Sequence, residues 1–449
     1  MSNNTWISTA VVAWLIGLPV VVPAEAASPV DAAAGVIQRL IPQHAEQFVL
    51  EAIPQENGKD VFEIESRDGK IVLRGNNGVS ICSALNWYLK YRCFCHVSWC
   101  GDQLNLPDPL PTVEPKVHQV SPHRYRYCLN YCAFGYMRNP RRGKLSGLGP
   151  IMENLGYNAV LYDLLTDLMW RTEMPELEPW AMEFAHRRYG RQSPKMQEAW
   201  KLLLETAYGE AGAGSDVVCL RPNLSGQRTK KPHRRKDSVP CKIAEAGRLY
   251  LACADELGGL DTYRFDLVNL VRQILGNLVQ DDFEEITAAY YSKDRKRLNT
   301  VSQHFFGLVR GMDELLGTRR EFMLGPWLAD AKRWATNDDE RKLYEWNARN
   351  QITLWGPPNS ELHDYAHKEW SGLLVNFHLP RWELFVRRLD EALEAGKEFD
   401  ADAFEKEMQQ WEDQWAHGTK HYPAKPTGDS VAVARKLWDQ YGKLALECE

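Results

Sequence analysis

Alternating apolar and polar positions predict two neighbouring strands in "DVFEIESRDGKIVLRG", residues 60–75. Asp68 and Gly69 separate the two runs, and this dipeptide is typical of a tight hairpin because glycine readily adopts the positive φ of the turn. Residues 78–92 then carry apolar side chains at helical spacing, namely Ile81, Leu85, Tyr88 and Leu89. We therefore predict a small α/β domain over residues 29–115. It ends in "LPDPLPTVEP", whose four prolines are typical of a linker.

Helical periodicity dominates the chain from residue 176 onward. In the segment 265–280, apolar residues recur at i, i+3, i+4, i+7, i+8 and i+11 and form one stripe of Leu267, Leu270, Val271, Ile274, Leu275 and Leu278. The segment 381–393 repeats the pattern. The sequence has no repeat of fixed period, so residues 176–449 are predicted to form a helical domain rather than a solenoid.

The first residues are typical of a cleaved signal peptide. An apolar run from Thr9 to Val22 is too short to span a bilayer, and a small-residue cleavage pattern at Ala24 and Ala26 follows it. We expect residues 1–26 to be removed and the protein to be exported, to the medium or the periplasm, or to the lysosome in a eukaryote. We expect no membrane span in the mature chain, because no later segment reaches 18 uninterrupted apolar residues.

Composition narrows the classes of function. The chain has 449 residues and a net charge of −6, which gives no overall attraction to nucleic acid or to an anionic membrane. It also has 16 tryptophans and 18 tyrosines. Most of these rings are expected in cores, but carbohydrate sites also use flat aromatic faces, against which the C–H surface of a sugar can lie. The composition gives no prediction of oligomeric state.

Six of the ten cysteines lie close together in the sequence, as Cys82, Cys93, Cys95, Cys100, Cys128 and Cys132. In an oxidising compartment they are expected to be buried thiols or to form one or two disulfides. The run from Cys93 to His96 lacks a matching second pair of ligands at zinc-site spacing. We therefore predict no metal site.

A basic run, "RPNLSGQRTKKPHRRKDSVPCK", occupies residues 221–242 between two helical segments. Such a run is typical of a solvated loop. It would also suit a polyanion such as a sulfated glycan, and the sequence leaves both interpretations open.

Several common catalytic motifs are missing from the sequence. It contains no G-x-S-x-G, no H-E-x-x-H and no G-x-x-x-x-G-K-[ST], and its histidines form no cluster. Carboxylates and aromatic residues remain, and glycoside hydrolysis uses these residue types. No cofactor is predicted.

Six longer segments together carry a resemblance to a known family. They are "CHVSWCGDQLNLPDPLP" (95–111), "HRYRYCLNYCAFGY" (123–136), "GLGPIMENLGYNAVLYDLLTDLMWR" (147–171), "WAMEFAHRRYG" (180–190), "RNQITLWGP" (349–357) and "LHDYAHKEWSGLLVNFHLPRW" (362–382). In their order and length they resemble the α-N-acetylglucosaminidases of glycoside hydrolase family 89. The resemblance implies an α+β multidomain fold with a small N-terminal α/β domain, a central (β/α)₈-type barrel and a large C-terminal all-α domain.

The resemblance does not extend over most of the central barrel. Only ten residues, "MRNPRRGKLS", separate Tyr136 from Gly147. A complete barrel needs roughly 250 residues. We therefore interpret residues 121–175 as the remnant of a TIM-like barrel, followed by the helical domain at 176–449.

The resemblance also implies roles for four residues. Glu153 matches the catalytic nucleophile of the family, although Asn154 stands where the usual pattern has glycine. Asn130 and Cys132 match residues that line the sugar pocket, and Tyr365 matches a tyrosine that the helical domain contributes to it. The family takes its acid/base carboxylate from an Asn-Glu pair in the middle of the barrel, and no residue here matches it.

The implied function is that of an exo-acting, retaining glycosidase that removes terminal α-linked N-acetylglucosamine from glycans such as heparan sulfate. Its expected partner is a glycan with that terminal sugar. Because the acid/base residue is missing, we expect the chain alone to be inactive. The alternative is a non-catalytic exported protein that binds a glycan or a partner through the helical domain and its basic loop.

Overall fold

A computed structural model describes residues 28–124, 158–208, 217–224 and 238–448. The N-terminal part is a four-stranded mixed sheet with two helices. Its strands are β1 (Phe48–Ala52), β2 (Val61–Arg67), β3 (Lys70–Gly75) and β4 (Val117–Val120), in the order β1-β3-β2-β4. β1 is parallel to β3, and the other two pairs are antiparallel. Strand β4 lies between residue 115, the predicted end of the α/β domain, and residue 121, the predicted start of the barrel remnant.

The predicted hairpin is confirmed. Arg67 pairs with Lys70, and the two residues between them, Asp68 and Gly69, have φ values of 53° and 74°. Both values lie in the left-handed region that glycine and aspartate tolerate best. The register of β2 and β3 is thus set by a two-residue turn.

Two helices pack on this sheet, α1 (Pro29–Leu40) and α2 (Gly78–Tyr91). α2 begins where the Asn77 side chain accepts a hydrogen bond of 2.9 Å from the Ser80 amide, which satisfies one of the free N–H groups of the first turn. Its predicted apolar residues, Ile81, Leu85, Tyr88 and Leu89, are all buried. These helices and strands enclose a separate small core.

The rest of the described chain is helical. Its elements are α3 (Ala159–Leu168), α4 (Leu177–Tyr189), α5 (Pro194–Glu205), α6 (Val239–Leu251), α7 (Ala254–Leu257), α8 (Asp261–Tyr291), α9 (Arg295–Leu316), α10 (Leu324–Arg333), α11 (Asp338–Gln351), α12 (Leu379–Glu394), α13 (Ala401–Ala416) and α14 (Ser430–Leu446). One continuous core joins them. The predicted combination of a small α/β domain and a large all-α domain is confirmed.

Helix α8 differs from its predicted single stripe. All six stripe residues are buried, but Asn269, Arg272 and Gln273 between them are buried as well. Helices α6, α9 and α14 all contact α8, and most of its residues are buried, so it is enclosed rather than amphipathic. The Arg272 guanidinium is ion-paired with the buried Glu369, which compensates for its removal from water.

The disulfide lies outside the predicted cysteine cluster. It joins Cys241 at the start of α6 to Cys448, across a sequence separation of 207 residues. Cys82, Cys93 and Cys95 are free thiols, and burial raises the pKa of Cys93 to about 11 and that of Cys95 to about 12. They are therefore inert thiols at neutral pH. Cys128 and Cys132 lie outside the described residues.

The basic run is not wholly a solvated loop. Arg221, its first residue, is buried and ion-paired with Glu412 and Glu405 of α13. Residues 225–237, which carry most of the positive charge, lie outside the described residues, as does the predicted signal peptide at 1–26. No helix in the described ranges is both long and apolar enough to cross a bilayer.

Candidate functional site

Three of the four predicted site residues, Asn130, Cys132 and Glu153, lie outside the described residues. The described chain resumes at Asn158, whose side chain accepts a hydrogen bond of 3.2 Å from the Leu161 amide and so caps α3. The apolar stretch after Glu153 therefore forms a helix whose start is defined by a capping residue. Helix α3 is the first described element that follows Glu153 in the sequence.

Helix α3 is held by a buried cluster of charges. The Lys90 ammonium of α2 lies 2.9 Å from Asp163 Oδ1 and 2.6 Å from Asp167 Oδ1. Arg187 Nη2 of α4 lies 3.0 Å from Asp163 Oδ2, and the Trp180 indole donates a 2.8 Å hydrogen bond to Asp167 Oδ2. Two cations thus face two carboxylates, so the cluster is neutral and its charges are paired. The cluster joins the small α/β domain, helix α3 and the helical domain.

The electrostatics of this cluster keep the Asp163 carboxylate ionised. Burial alone raises the pKa of Asp163, but Lys90, His96 and Arg187 outweigh it and hold the pKa well below its usual range. His96 is buried edge-on against Phe184. Burial, with a contribution from Arg188, lowers the pKa of His96 to about 3, so the imidazole is neutral.

The described residues contain no candidate metal-binding site. No group of three His, Cys, Asp or Glu side chains within them is placed to hold a metal ion. Cys93, Cys95 and His96, the residues of the sequence motif, contribute separately to the packing around α2 and α4.

Tyr365, the fourth predicted site residue, lies on the loop between α11 and α12. Its ring is half-buried and lies 5.4 Å from that of Trp355, with an angle of 52° between the ring planes. Trp355 is 38% exposed. The two rings therefore form an aromatic pair at the surface of the helical domain. Reasoning from the sequence missed Trp355, although it lies inside "RNQITLWGP" and close to Tyr365 in sequence.

The backbone around Trp355 is fixed in an uncommon conformation. Its φ is 54°, in the left-handed region that bulky residues rarely adopt. The Trp355 amide donates a 2.8 Å hydrogen bond to the Asn350 carbonyl, and the Asn350 side-chain amide donates one of 2.7 Å to the Gly356 carbonyl. A strained backbone held by such local bonds is typical of functional loops.

A buried ion-pair network holds the other end of the loop. Arg381 Nη1 lies 2.8 Å from Asp364 Oδ1 and 2.8 Å from Glu412 Oε1, while its Nη2 donates to the Cys219 carbonyl at 2.9 Å. The Asp364 amide also donates a 2.7 Å hydrogen bond to the Thr353 carbonyl. Asp364 directly precedes Tyr365, so these contacts restrict the position of the tyrosine.

As in the cluster at α3, this network combines a buried aspartate and a buried histidine whose pKa values are both lowered. Burial raises the pKa of Asp364, but Arg381 and His363 outweigh it and hold the pKa well below its usual range. His378 Nδ1 accepts from Arg381 at 2.8 Å, which leaves its Nε2 to donate to the Lys368 carbonyl at 3.1 Å. Burial and Arg381 lower the pKa of His378 to about 3.

This arrangement is suited to binding rather than to proton transfer. Trp355 and Tyr365 offer apolar ring faces and one phenolic hydroxyl. The neighbouring carboxylate of Asp364 is ionised and engaged by Arg381, so it has no proton to donate. A reacting carboxylate would have to come from another part of the chain.

Comparison with known proteins matches both ends of the described chain. The protein-family model for the α-N-acetylglucosaminidase (NAGLU) C-terminal domain matches residues 180–440. The family model for the N-terminal domain matches residues 31–112. The human α-N-acetylglucosaminidase is 36% identical over 302 residues, which are 66% of this chain and 40% of the human protein. The chain thus spans about two fifths of the length of this relative.

Solved structures show the same fold. A family 89 glycoside hydrolase from Clostridium perfringens, in complex with 2-acetamido-1,2-dideoxynojirimycin, gives a TM-score of 0.79 at 18% identity and covers 92% of this chain and 80% of that one. A second structure from that organism, with GlcNAc-α-1,4-galactose bound, gives 0.78 at 17% identity with the same coverage. With the C-terminal family model matched over residues 180–440 of 449, this chain belongs to the α-N-acetylglucosaminidase family.

Proposed function

We propose that this chain keeps part of a pocket for terminal α-linked N-acetylglucosamine. In this proposal Tyr365 and Trp355 form the wall that the helical domain contributes, and Asn130, Cys132 and Glu153 complete what remains of the pocket. The observation that carries it is the pairing of Trp355 with Tyr365 on a loop fixed at both ends. Family membership and the GlcNAc-α-1,4-galactose bound by the Clostridium relative support the choice of sugar.

The proposed chemistry of the complete family site is retaining hydrolysis. Glu153 would attack the anomeric carbon, while a second carboxylic acid about 5 Å away would protonate the leaving oxygen and later activate water. This chain has no residue that matches the second acid. General acid catalysis typically contributes about 10²–10⁴-fold in rate, and the barrel residues that would hold the substrate against Glu153 are missing too. We therefore propose that the chain alone hydrolyses such glycans negligibly.

The natural glycan is proposed to be of the heparan sulfate kind or another with terminal α-linked N-acetylglucosamine. We also propose that the protein is exported. The Cys241–Cys448 disulfide supports export, because structural disulfides form and persist in oxidising compartments. The predicted signal peptide at residues 1–26 would provide the route.

Titration with 2-acetamido-1,2-dideoxynojirimycin, followed by calorimetry, tests the pocket. We expect the 449-residue chain to bind this iminosugar and Tyr365→Ala to weaken binding by at least about tenfold, because the proposal makes the tyrosine a central aromatic contact of the sugar. Tyr291→Ala is the matched control, since Tyr291 is 65% exposed at the end of α8. Equal affinities in the two variants, or no binding by the parent chain, would refute the proposed pocket.

A further inference from the structure

A second surface feature lies between α10 and α11. These helices border an open cleft with a volume of about 640 Å³, and ligand sites commonly measure about 300–1,000 Å³. Trp327, Trp334 and Tyr344 line it, and Trp355 lines it as well. The cleft is therefore next to the aromatic pair formed by Trp355 and Tyr365.

The tryptophans Trp327 and Trp334 contribute apolar ring area to the cleft. Trp327 Nε1 donates a 2.9 Å hydrogen bond to the Ala348 carbonyl, so its indole nitrogen is already satisfied. Trp334 is 74% exposed, an unusual position for the side chain with the largest apolar area. Flat apolar faces of this kind suit the C–H surface of a sugar ring.

The polar groups of the cleft are mostly amides. Asn347 and Gln351 are exposed on α11, and Asn350 gives its side-chain N–H to the Gly356 carbonyl, which leaves its Oδ1 as an acceptor. Amides bond well to hydroxyl and acetamido groups. Among the described residues that line the cleft, Asp330 is the one charged side chain. Arg333 Nη2 lies 3.6 Å from Asp330 Oδ1, so the described lining offers no unpaired positive charge that would attract sulfated or carboxylated ligands.

We propose that the cleft between α10 and α11 binds a short neutral saccharide. This goes beyond the pocket proposed above, because it requires neither Glu153 nor hydrolysis and would persist in a chain that has lost its acid/base residue. Trp334 is the residue on which the saccharide stacks. The role assigned to the cleft is to hold neutral parts of a glycan near the loop that carries Trp355.

Calorimetric titration with triacetylchitotriose tests the proposal, with a heparin tetrasaccharide as the charged comparison. We expect the full chain to bind the neutral trisaccharide more tightly than the heparin fragment. Trp334→Ala should weaken trisaccharide binding by at least about tenfold, the usual effect of truncating a central aromatic contact. Trp99→Ala is the matched control, because Trp99 is also 74% exposed but lies in the N-terminal part, and it should leave the affinity unchanged.

The outcomes separate this inference from the proposed pocket. Trisaccharide binding that depends on Trp334, with iminosugar binding unaffected by Trp334→Ala, supports the cleft. Trisaccharide binding without iminosugar binding supports the cleft and refutes the pocket. Absence of trisaccharide binding, equal losses in Trp334→Ala and Trp99→Ala, or preference for the heparin fragment overturns the cleft proposal. So does a dimer in light scattering that Trp334→Ala dissociates, because the cleft would then be an interface between copies.

Discussion

Lys90 and Asp167 form a buried ion pair of 2.6 Å between a helix of the sheet domain and the helix that follows the Glu153 segment. Both side chains are almost fully enclosed. Asp163 and Arg187 extend the pair into the helical domain. A charged cluster thus joins α2, α3 and α4, and its partners come from three separate parts of the sequence.

Lys90→Met should therefore destabilise the whole chain. It leaves Asp163 and Asp167 buried with one cation fewer, and breaking a buried pair in this way typically costs about 3–5 kcal/mol. Urea denaturation monitored by circular dichroism would measure the change. Lys436→Met is the control, because Lys436 pairs with Glu314 at the surface and such changes usually stay within about 0.5 kcal/mol. Similar losses in the two variants would contradict the role of the cluster.

Replacing both Cys241 and Cys448 with serine should lower the free energy of unfolding by about 2–5 kcal/mol, because their bond restricts the unfolded chain. Reductant should have the same effect on the parent protein. Cys82→Ser, which removes a thiol that forms no disulfide, is the comparison. An unchanged denaturation midpoint in the double variant would show that this link contributes nothing.

His96 should make stability fall as the solution is acidified. Its pKa is about 3 in the folded protein against 6.5 in the unfolded chain, so between these values the unfolded state binds more protons. Stability is then greatest above pH 6.5 and declines towards pH 3, with a contribution of about 1.4 kcal/mol per pH unit. His96→Leu should reduce the slope between pH 6.5 and 4 by that amount. An unaltered slope would contradict the neutral, buried state of His96.

Asp364→Asn should loosen the loop that carries Tyr365. The change keeps the shape of the side chain but removes the charge that Arg381 contacts, and hydrogen bonds to charged groups contribute about 1.5–3 kcal/mol. We expect weaker binding of 2-acetamido-1,2-dideoxynojirimycin as well as lower stability. Asp390→Asn removes a surface partner of Arg295 and should leave the affinity unchanged. Full iminosugar affinity in Asp364→Asn would show that the network does not position Tyr365.

The sequence was most informative where structure depends on near neighbours. Asp68 and Gly69 predicted the hairpin because the turn needs their backbone freedom, and the spacing of Ile81, Leu85 and Tyr88 predicted α2 because a helix repeats locally. The stripe on α8 predicted a helix correctly. It did not predict that polar residues between the stripe positions are buried too, since that depends on which helices surround α8.

Long-range pairings had no such local signal. Cys241 and Cys448 are 207 residues apart, and nothing near either one distinguishes it from the cysteines of the cluster. Lys90 and Asp167 are likewise ordinary charged residues until folding places them together. In the candidate site, the resemblance predicts Tyr365, whereas Trp355 becomes evident only from its contact with Tyr365.

The proposed loss of hydrolytic activity is tested by release of 4-nitrophenol from 4-nitrophenyl α-N-acetylglucosaminide by the purified 449-residue chain, measured beside its Glu153→Gln variant. We expect no release above the blank by either protein, because no residue of this chain matches the second carboxylic acid of the proposed retaining mechanism. Release by the parent chain that disappears in Glu153→Gln would contradict it. That result would mean that another carboxylate has taken over as the acid.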